Sequence, residues 1–182
     1  MKVLIIYAPG FEDVEALATR DVLVRAGFEV VDAKINDDEQ LVISSHKVAL
    51  YGFKSLKNIN VSEFDAVIIP GGSRGVNNLL NNEATINIVR EAYRSGKYVC
   101  AICAGPMVLD KAGILEGSRF TCYPGCEVGL KGIYTGNEVE VAGKIITARS
   151  MMYSIPFGLK IIELLGSIDL SDKIYHQICG LK

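Results

Sequence analysis

Val99-Cys100-Ala101-Ile102-Cys103-Ala104-Gly105-Pro106 joins an apolar run to a proline that can open a helix. Its first half is a continuous apolar run, the composition of a strand buried on both faces of a parallel sheet. Its second half turns at once into a helix: Pro106 suits a first helical turn, where no backbone N–H partner is lost. A strand that becomes a helix this abruptly leaves room only for small side chains two positions before and after the turning residue. Ala101 and Gly105 meet that demand around Cys103. This is the spacing of a nucleophile elbow. It puts Cys103 at a helix N-terminus, where partial positive charge lowers a thiol pKa. The alternative is a buried core cysteine, the commoner fate of a free thiol.

Outward from the elbow, the apolar period keeps switching between strand and helix. Residues 2–8 form a buried strand, 13–26 carry helical spacing closed by Gly27, and 28–33 return as a strand. A charged turn, Asn36-Asp37-Asp38-Glu39, leads to a short strand pair within 41–52. A strand at 64–70, a helix at 83–94, the strand 97–103 and a helix at 106–111 follow. Short strands near 119–122, 138–142 and 144–148 are expected to be antiparallel. A long helix covers 150–165, and 169–179 holds a further helical turn or two. Strands alternating with helices give an α/β doubly wound, mostly parallel sheet with helices on both faces. Ligands in such sheets sit beyond the carboxyl ends of the strands, here the loops 8–13, 70–75 and 103–106.

Composition excludes several function classes. The 182 residues are 49% hydrophobic and 22% charged, values of a globular chain. Nineteen basic against 21 acidic residues leave a net charge of −2, which argues against nucleic acid or an anionic membrane as partner. There is no apolar run long enough for a membrane span, and the apolar start is too short for a signal peptide. Five cysteines, an odd number, then point to reduced thiols in a cytoplasmic setting.

Around the elbow, other residues offer chemistry. Gly10-Phe11-Glu12-Asp13-Val14-Glu15 follows the first strand; Glu12 and Asp13 are ordinary caps and dipole partners, whereas Glu15 lies one turn inside, able to face Cys103. A buried carboxyl is driven toward its protonated form, which can donate a hydrogen bond to a thiolate. Pro70-Gly71-Gly72-Ser73-Arg74-Gly75 admits three readings: a strand-ending turn, a phosphate cradle without P-loop order, or an oxyanion hole pairing the Gly72 and Ala104 amides. Cys100-x2-Cys103 and Cys122-x3-Cys126 resemble a zinc spacing. The strand position of Cys100 gives the first pair no turn and sends its two side chains to opposite faces, which argues against a metal. The only histidines, His46 and His176, lie far from the elbow in sequence, leaving no local Cys-His pair.

Taken together, the blocks at 10–15, 65–72 and 101–106, with Thr121-Cys122-Tyr123-Pro124-Gly125 and Phe157-Gly158-Leu159-Lys160-Ile161-Ile162-Glu163, resemble the DJ-1/ThiJ/PfpI superfamily, most closely its DJ-1/ThiJ branch, over essentially the whole chain. The resemblance implies a flavodoxin-like (class I glutamine-amidotransferase-like) sandwich, one domain over 1–182, in a homodimer joined through the 13–26 helix. It implies an oxidation-prone nucleophile at Cys103, a protonated glutamate bonded to its sulfur at Glu15, and oxyanion-hole amides at Gly72 and Ala104. Arg25 and, with a change, His46 match an arginine pair near the site; Tyr123 falls where some members carry a histidine, and Cys122 beside it could resolve an oxidised Cys103. The implied activities are glyoxalase or deglycase action on methylglyoxal-like aldehydes and their adducts without cofactor or metal, redox sensing, or chaperone-like protection. A flavin or nucleotide binder rests on fold analogy alone. Ala104 stands where PfpI-type peptidases carry histidine, which argues against a peptidase. Ser150-Met151-Met152-Tyr153 replaces a Gly-Pro-Gly-Thr stretch and should alter the pocket wall.

Overall fold

The computed structural model describes residues 1–36 and 38–181, so Asp37 of the expected charged turn lies outside the described residues. Strands β1 (Lys2–Tyr7), β2 (Glu29–Lys34), β3 (Val42–Ile43), β4 (Ala49–Leu50), β5 (Lys54–Ser55), β6 (Ala66–Ile69) and β7 (Tyr98–Ile102) fill the first part of the chain. Then come β8 (Arg119–Phe120), β9 (Ile133–Tyr134), β10 (Val139–Ala142) and β11 (Ile145–Ala148). Helices α1 (Asp13–Arg25), α2 (Ser73–Leu80), α3 (Glu83–Arg94), α4 (Pro106–Lys111), α5 (Ser154–Leu165) and α6 (Ile168–Cys179) lie between and after them. Seven strands join in the order β10-β11-β7-β6-β1-β2-β5, parallel throughout except for the β10–β11 hairpin.

Period-two alternation explains why both faces are covered. Along β1, Val3, Ile5 and Tyr7 pack with Ala16, Leu23, Phe157 and Ile161 under α1 and α5, while Leu4 and Ile6 pack with Leu79, Val89 and Val108 under α2, α3 and α4. Every one of these side chains is buried. The carboxyl ends of β1, β6 and β7 converge at the middle of the sheet, so the loops after them share one edge. No helix among the described residues is long and apolar enough to cross a membrane.

Three local expectations are corrected. Residues 73–80, whose start was expected to belong to a glycine turn, form α2: Val76, Leu79 and Leu80 supply an apolar stripe that outweighs Gly75 and the asparagines. Strand β8 is parallel, not antiparallel; it pairs with β9, a two-residue strand outside the expected set. The long C-terminal helix begins with a 3-10 turn at Met151–Tyr153, and α6 runs three full turns rather than one or two.

Candidate active site

The elbow forms where it was expected. β7 ends at Ile102, and Cys103 takes φ +62°, one of two left-handed non-glycine residues among those described. That conformation is costly for an L-residue and persists only where neighbours hold it. Here the Cys103 N–H donates to the Ala148 carbonyl at 2.9 Å, and the Cys103 carbonyl accepts from the Tyr123 N–H at 2.9 Å. A Cβ on residue 105 would meet the Ile69 and Ile102 carbonyl oxygens at 2.8 and 2.9 Å, the physical reason for Gly105.

Glu15 reaches the elbow from the first turn of α1. It is 2% exposed, its Oε2 accepts from the Gly71 N–H at 2.9 Å, and its own N–H donates to the Glu12 carboxylate at 2.7 Å. Its carboxyl also shares a hydrogen bond with the Cys103 thiol. Burial drives its pKa up to about 7, against the lowering pull of the Cys103 and Gly71 hydrogen bonds. Gly71 is obligatory beside it: a Cβ there would lie 2.3 Å from the Glu15 Oε2 and 2.8 Å from the Cys103 Cβ.

The thiol pKa moves opposite to the sequence expectation. Burial, then the Glu15 carboxylate, raise Cys103 well above the ordinary thiol value, with the Ala104 N–H opposing them. A helix of six residues behind the elbow does not overcome that desolvation. A carboxyl and a thiol joined by one hydrogen bond can hold a single proton between them. With one proton between them, the thiol–carboxylate and the thiolate–carboxylic acid forms differ only in where that proton sits. The Gly72 N–H, at the start of α2, meets no acceptor among the described residues, and the Ala104 N–H is directed at the sulfur.

This elbow, with a buried carboxyl on its sulfur, sits in a chain whose residues 1–164 match the family model described as the DJ-1/PfpI family. The chain belongs to the DJ-1/PfpI family. It is 35% identical to the Drosophila melanogaster protein dj-1beta, over 98% of this chain and 95% of that relative. It is 34% identical to a Pyrococcus horikoshii protein named as a deglycase, over 82% of this chain and 90% of that one. The crystal structure of Drosophila melanogaster DJ-1beta superposes with a TM-score of 0.92 at 32% identity, covering 100% of this chain and 98% of that one.

Within this DJ-1/PfpI chain, the remaining predicted residues divide. Tyr123 touches the elbow through its backbone; its side chain is half exposed. Cys122 is fully buried under the α2–α4 face, its thiol pushed up to about 12 by burial, and Cys126 rather than Cys122 bears on Cys103. Arg25 lies ten residues along α1 from Glu15, about 15 Å at the helical rise, and pairs with Asp21 at 2.6 Å. In this chain it does not line the site. His46 is exposed and its Nδ1 lies 2.8 Å from Asp13 Oδ2; Asp13 and Glu15, two apart on a helix, project away from each other. Cys100 and Cys103 do not diverge across the sheet: the left-handed turn breaks the alternation, and both pack on the α1–α5 side as free thiols.

With Cys100 on one face of the sheet and Cys122 buried on the other, the four cysteines cannot surround one ion. Among the described residues the only group with metal-ligand spacing is Glu12, Asp13 and His46, within 4.8 Å of one another, and the Asp13 carboxylate already accepts from Ser44, Ser45 and His46. Next to the elbow, a cavity of about 350 Å³ is lined by Ser73, Val76, Asn77 and Leu80 of α2, Ala104 and Met107, and Gly125, Cys126 and Val128. Met151 and Met152 do not line it; both side chains are exposed on the 3-10 turn. Two participants carry no strong sequence signal: the Gly71 N–H, and Cys126, for which the Pro124-Gly125 turn is the available clue.

Proposed function

We propose that the chain is a cofactor-independent, cysteine-dependent enzyme of the glyoxalase or deglycase type, acting on methylglyoxal-like aldehydes or their adducts. The observation that carries this reading is the buried Glu15 carboxyl, with a pKa near 7, hydrogen-bonded to the Cys103 thiol. In the thiolate–acid form, the Cys103 sulfur adds to the aldehyde carbon and the C–S bond forms as the carbonyl π pair moves to oxygen. The Glu15 proton passes to that oxygen, and the Gly72 and Ala104 amides steady the developing charge. Glu15, now a carboxylate, takes the hydrogen from the former aldehyde carbon as a proton and returns it to the neighbouring ketone carbon, while the hydroxyl proton passes from the first oxygen to the second. The first carbon is oxidised and the second reduced, giving a lactyl thioester that water cleaves to lactate and free thiol. The deglycase name of an archaeal relative supports this class.

A test is lactate formation from methylglyoxal with metal and glutathione removed. Turnover by the wild type that is lost in Cys103→Ser is the expected result; equal turnover in both would remove the thiol from the reaction. A second reading, in which Cys103 serves as a redox sensor or in chaperone-like protection, is favoured by the second thiol, Cys126, beside the same site. Peptidase action lacks the histidine that a thiol protease sets beside its nucleophile. We further propose a single domain that acts in the cytoplasm as a homodimer, supported by the exposed apolar Val14 and Val24 of α1 and Ile155 of α5. Light scattering showing a monomer would contradict the dimer.

A further inference from the structure

Cys126 is not used by the proposed aldehyde chemistry, yet the fold brings it to the elbow. Two backbone hydrogen bonds connect them: the Tyr123 N–H donates to the Cys103 carbonyl, and the Cys126 N–H donates to the Tyr123 carbonyl, at 2.9 Å each. Cys126 is partly buried and shares the 350 Å³ cavity with Ala104, the residue after Cys103. The Glu15 carboxylate bears on both thiols, and Cys126 bears on Cys103, whereas Cys122 has no such relation to Cys103. Cys103 thus has Glu15 on its α1 side and Cys126 on its α2–α4 side, across the open carboxyl edge of the sheet. Apart from its chain neighbours, no described atom lies within 4 Å of where a Gly125 Cβ would be, so that side of the 123–126 turn is open.

We infer that Cys126 is the resolving thiol for an oxidised Cys103: hydroperoxides switch the site off by a reversible Cys103–Cys126 disulfide, which also closes the cavity. The inference rests on the proposed reactivity of Cys103. In the first step the Cys103 thiolate attacks a peroxide oxygen, the O–O bond breaks, and sulfenic acid and water (or an alcohol) form, the proton coming from Glu15. In the second, the Cys126 sulfur attacks the Cys103 sulfur, the S–S bond forms, the S–O bond breaks, and the hydroxyl leaves as water with the Cys126 proton. Two electrons pass in all from the thiol pair to the peroxide, and a dithiol returns them. A disulfide needs Cα atoms about 4.4–6.8 Å apart, the separation that the linked 123–126 turn and elbow must adopt in the oxidised form. Without Cys126 the sulfenic acid loses this partner and proceeds to sulfinic acid, which dithiols do not reverse.

The experiment treats wild type, Cys126→Ser and Cys122→Ser with one equivalent of hydrogen peroxide and maps the thiols by mass spectrometry without reduction. Fragmentation must localise the link, because Cys100 and Cys103 share the tryptic peptide 98–111 and Cys122 and Cys126 share 120–131. The expected result is a Cys103–Cys126 link in the wild type and in Cys122→Ser. In Cys126→Ser the link is lost and Cys103 sulfinate rises about tenfold. Equal sulfinate in wild type and Cys126→Ser, or a link to Cys122 instead, overturns the assignment while leaving Cys103 reactive. Oxidation of Cys103 no faster than of the exposed Cys179 overturns the assignment together with the nucleophile reading beneath it.

Discussion

Replacing Glu15 by glutamine should make the protein's stability less dependent on pH, and by an amount the site fixes. The glutamine amide can still accept from the Gly71 N–H through its oxygen and donate to the Cys103 sulfur, but it cannot ionise. In the wild type, burial carries the carboxyl pKa from 4.5 to about 7. At about 1.4 kcal/mol per tenfold, that costs about 3 kcal/mol once the group is ionised. The sign is that of a raised acid: the folded state holds its proton longer, so the contribution is intact below 4.5 and is lost as pH rises through 7. About 2.5 kcal/mol of it falls between pH 5 and pH 8. The Cys103 thiol, raised from an ordinary value of 9.0, adds nothing in that window. Urea unfolding of both proteins at pH 5, 6, 7 and 8 reads the difference. Wild-type stability should fall relative to Glu15→Gln by that amount. A difference constant to within about 0.5 kcal/mol would mean that Glu15 ionises as an ordinary carboxyl and shares no proton with Cys103.

Gly71→Ala should lower both stability and thiol-dependent turnover, because its Cβ would lie 2.3 Å from the Glu15 carboxylate; a loss of about 1–3 kcal/mol in urea is expected. Asp13→Asn should loosen the β3–β4 hairpin, whose Ser44, Ser45 and His46 it holds, by about 1–2 kcal/mol at neutral pH, with faster amide exchange at Ser45. Although partly buried, the Asp13 carboxyl is held below its usual value of 3.8 by its Ser44, His46 and Ser45 hydrogen bonds. The gap between Asp13→Asn and wild type should therefore close as pH falls below that value. Arg25→Ala, which removes an exposed pair with Asp21 at 2.6 Å, should leave the urea midpoint at that of the wild type.

What is legible in the sequence is whatever depends on near neighbours. The apolar runs at 2–8, 64–70 and 97–103 disclose the parallel strands because both faces of each are buried, and Ala101-x-Cys103-x-Gly105 discloses the elbow because its crowding is local. Helix α2 is obscured by Gly75 and two asparagines, although Val76, Leu79 and Leu80 already carry its stripe. The direction of the Cys103 pKa cannot be read locally, since it depends on burial beneath Glu15, 88 positions away in the chain. Arg25 and His46 rest on family resemblance, and the partners they meet, Asp21 and Asp13, are set by the run of α1 and the β3–β4 hairpin rather than by any local motif. Cys122 and Cys126 are told apart only by the turn geometry that buries one and brings the other to the cavity.

Whether Cys103 and Glu15 share a proton is read from the alkylation rate of Cys103 against pH, followed by mass spectrometry in wild type and Glu15→Gln. Below about pH 7 the pair holds two protons and the sulfur is a thiol; above it, with one proton, a thiolate–acid fraction independent of pH exists. The wild-type rate should rise to an inflection near pH 7 and level off, and that inflection should vanish in Glu15→Gln. Two coincident profiles that climb without a plateau through pH 9 would contradict the shared proton.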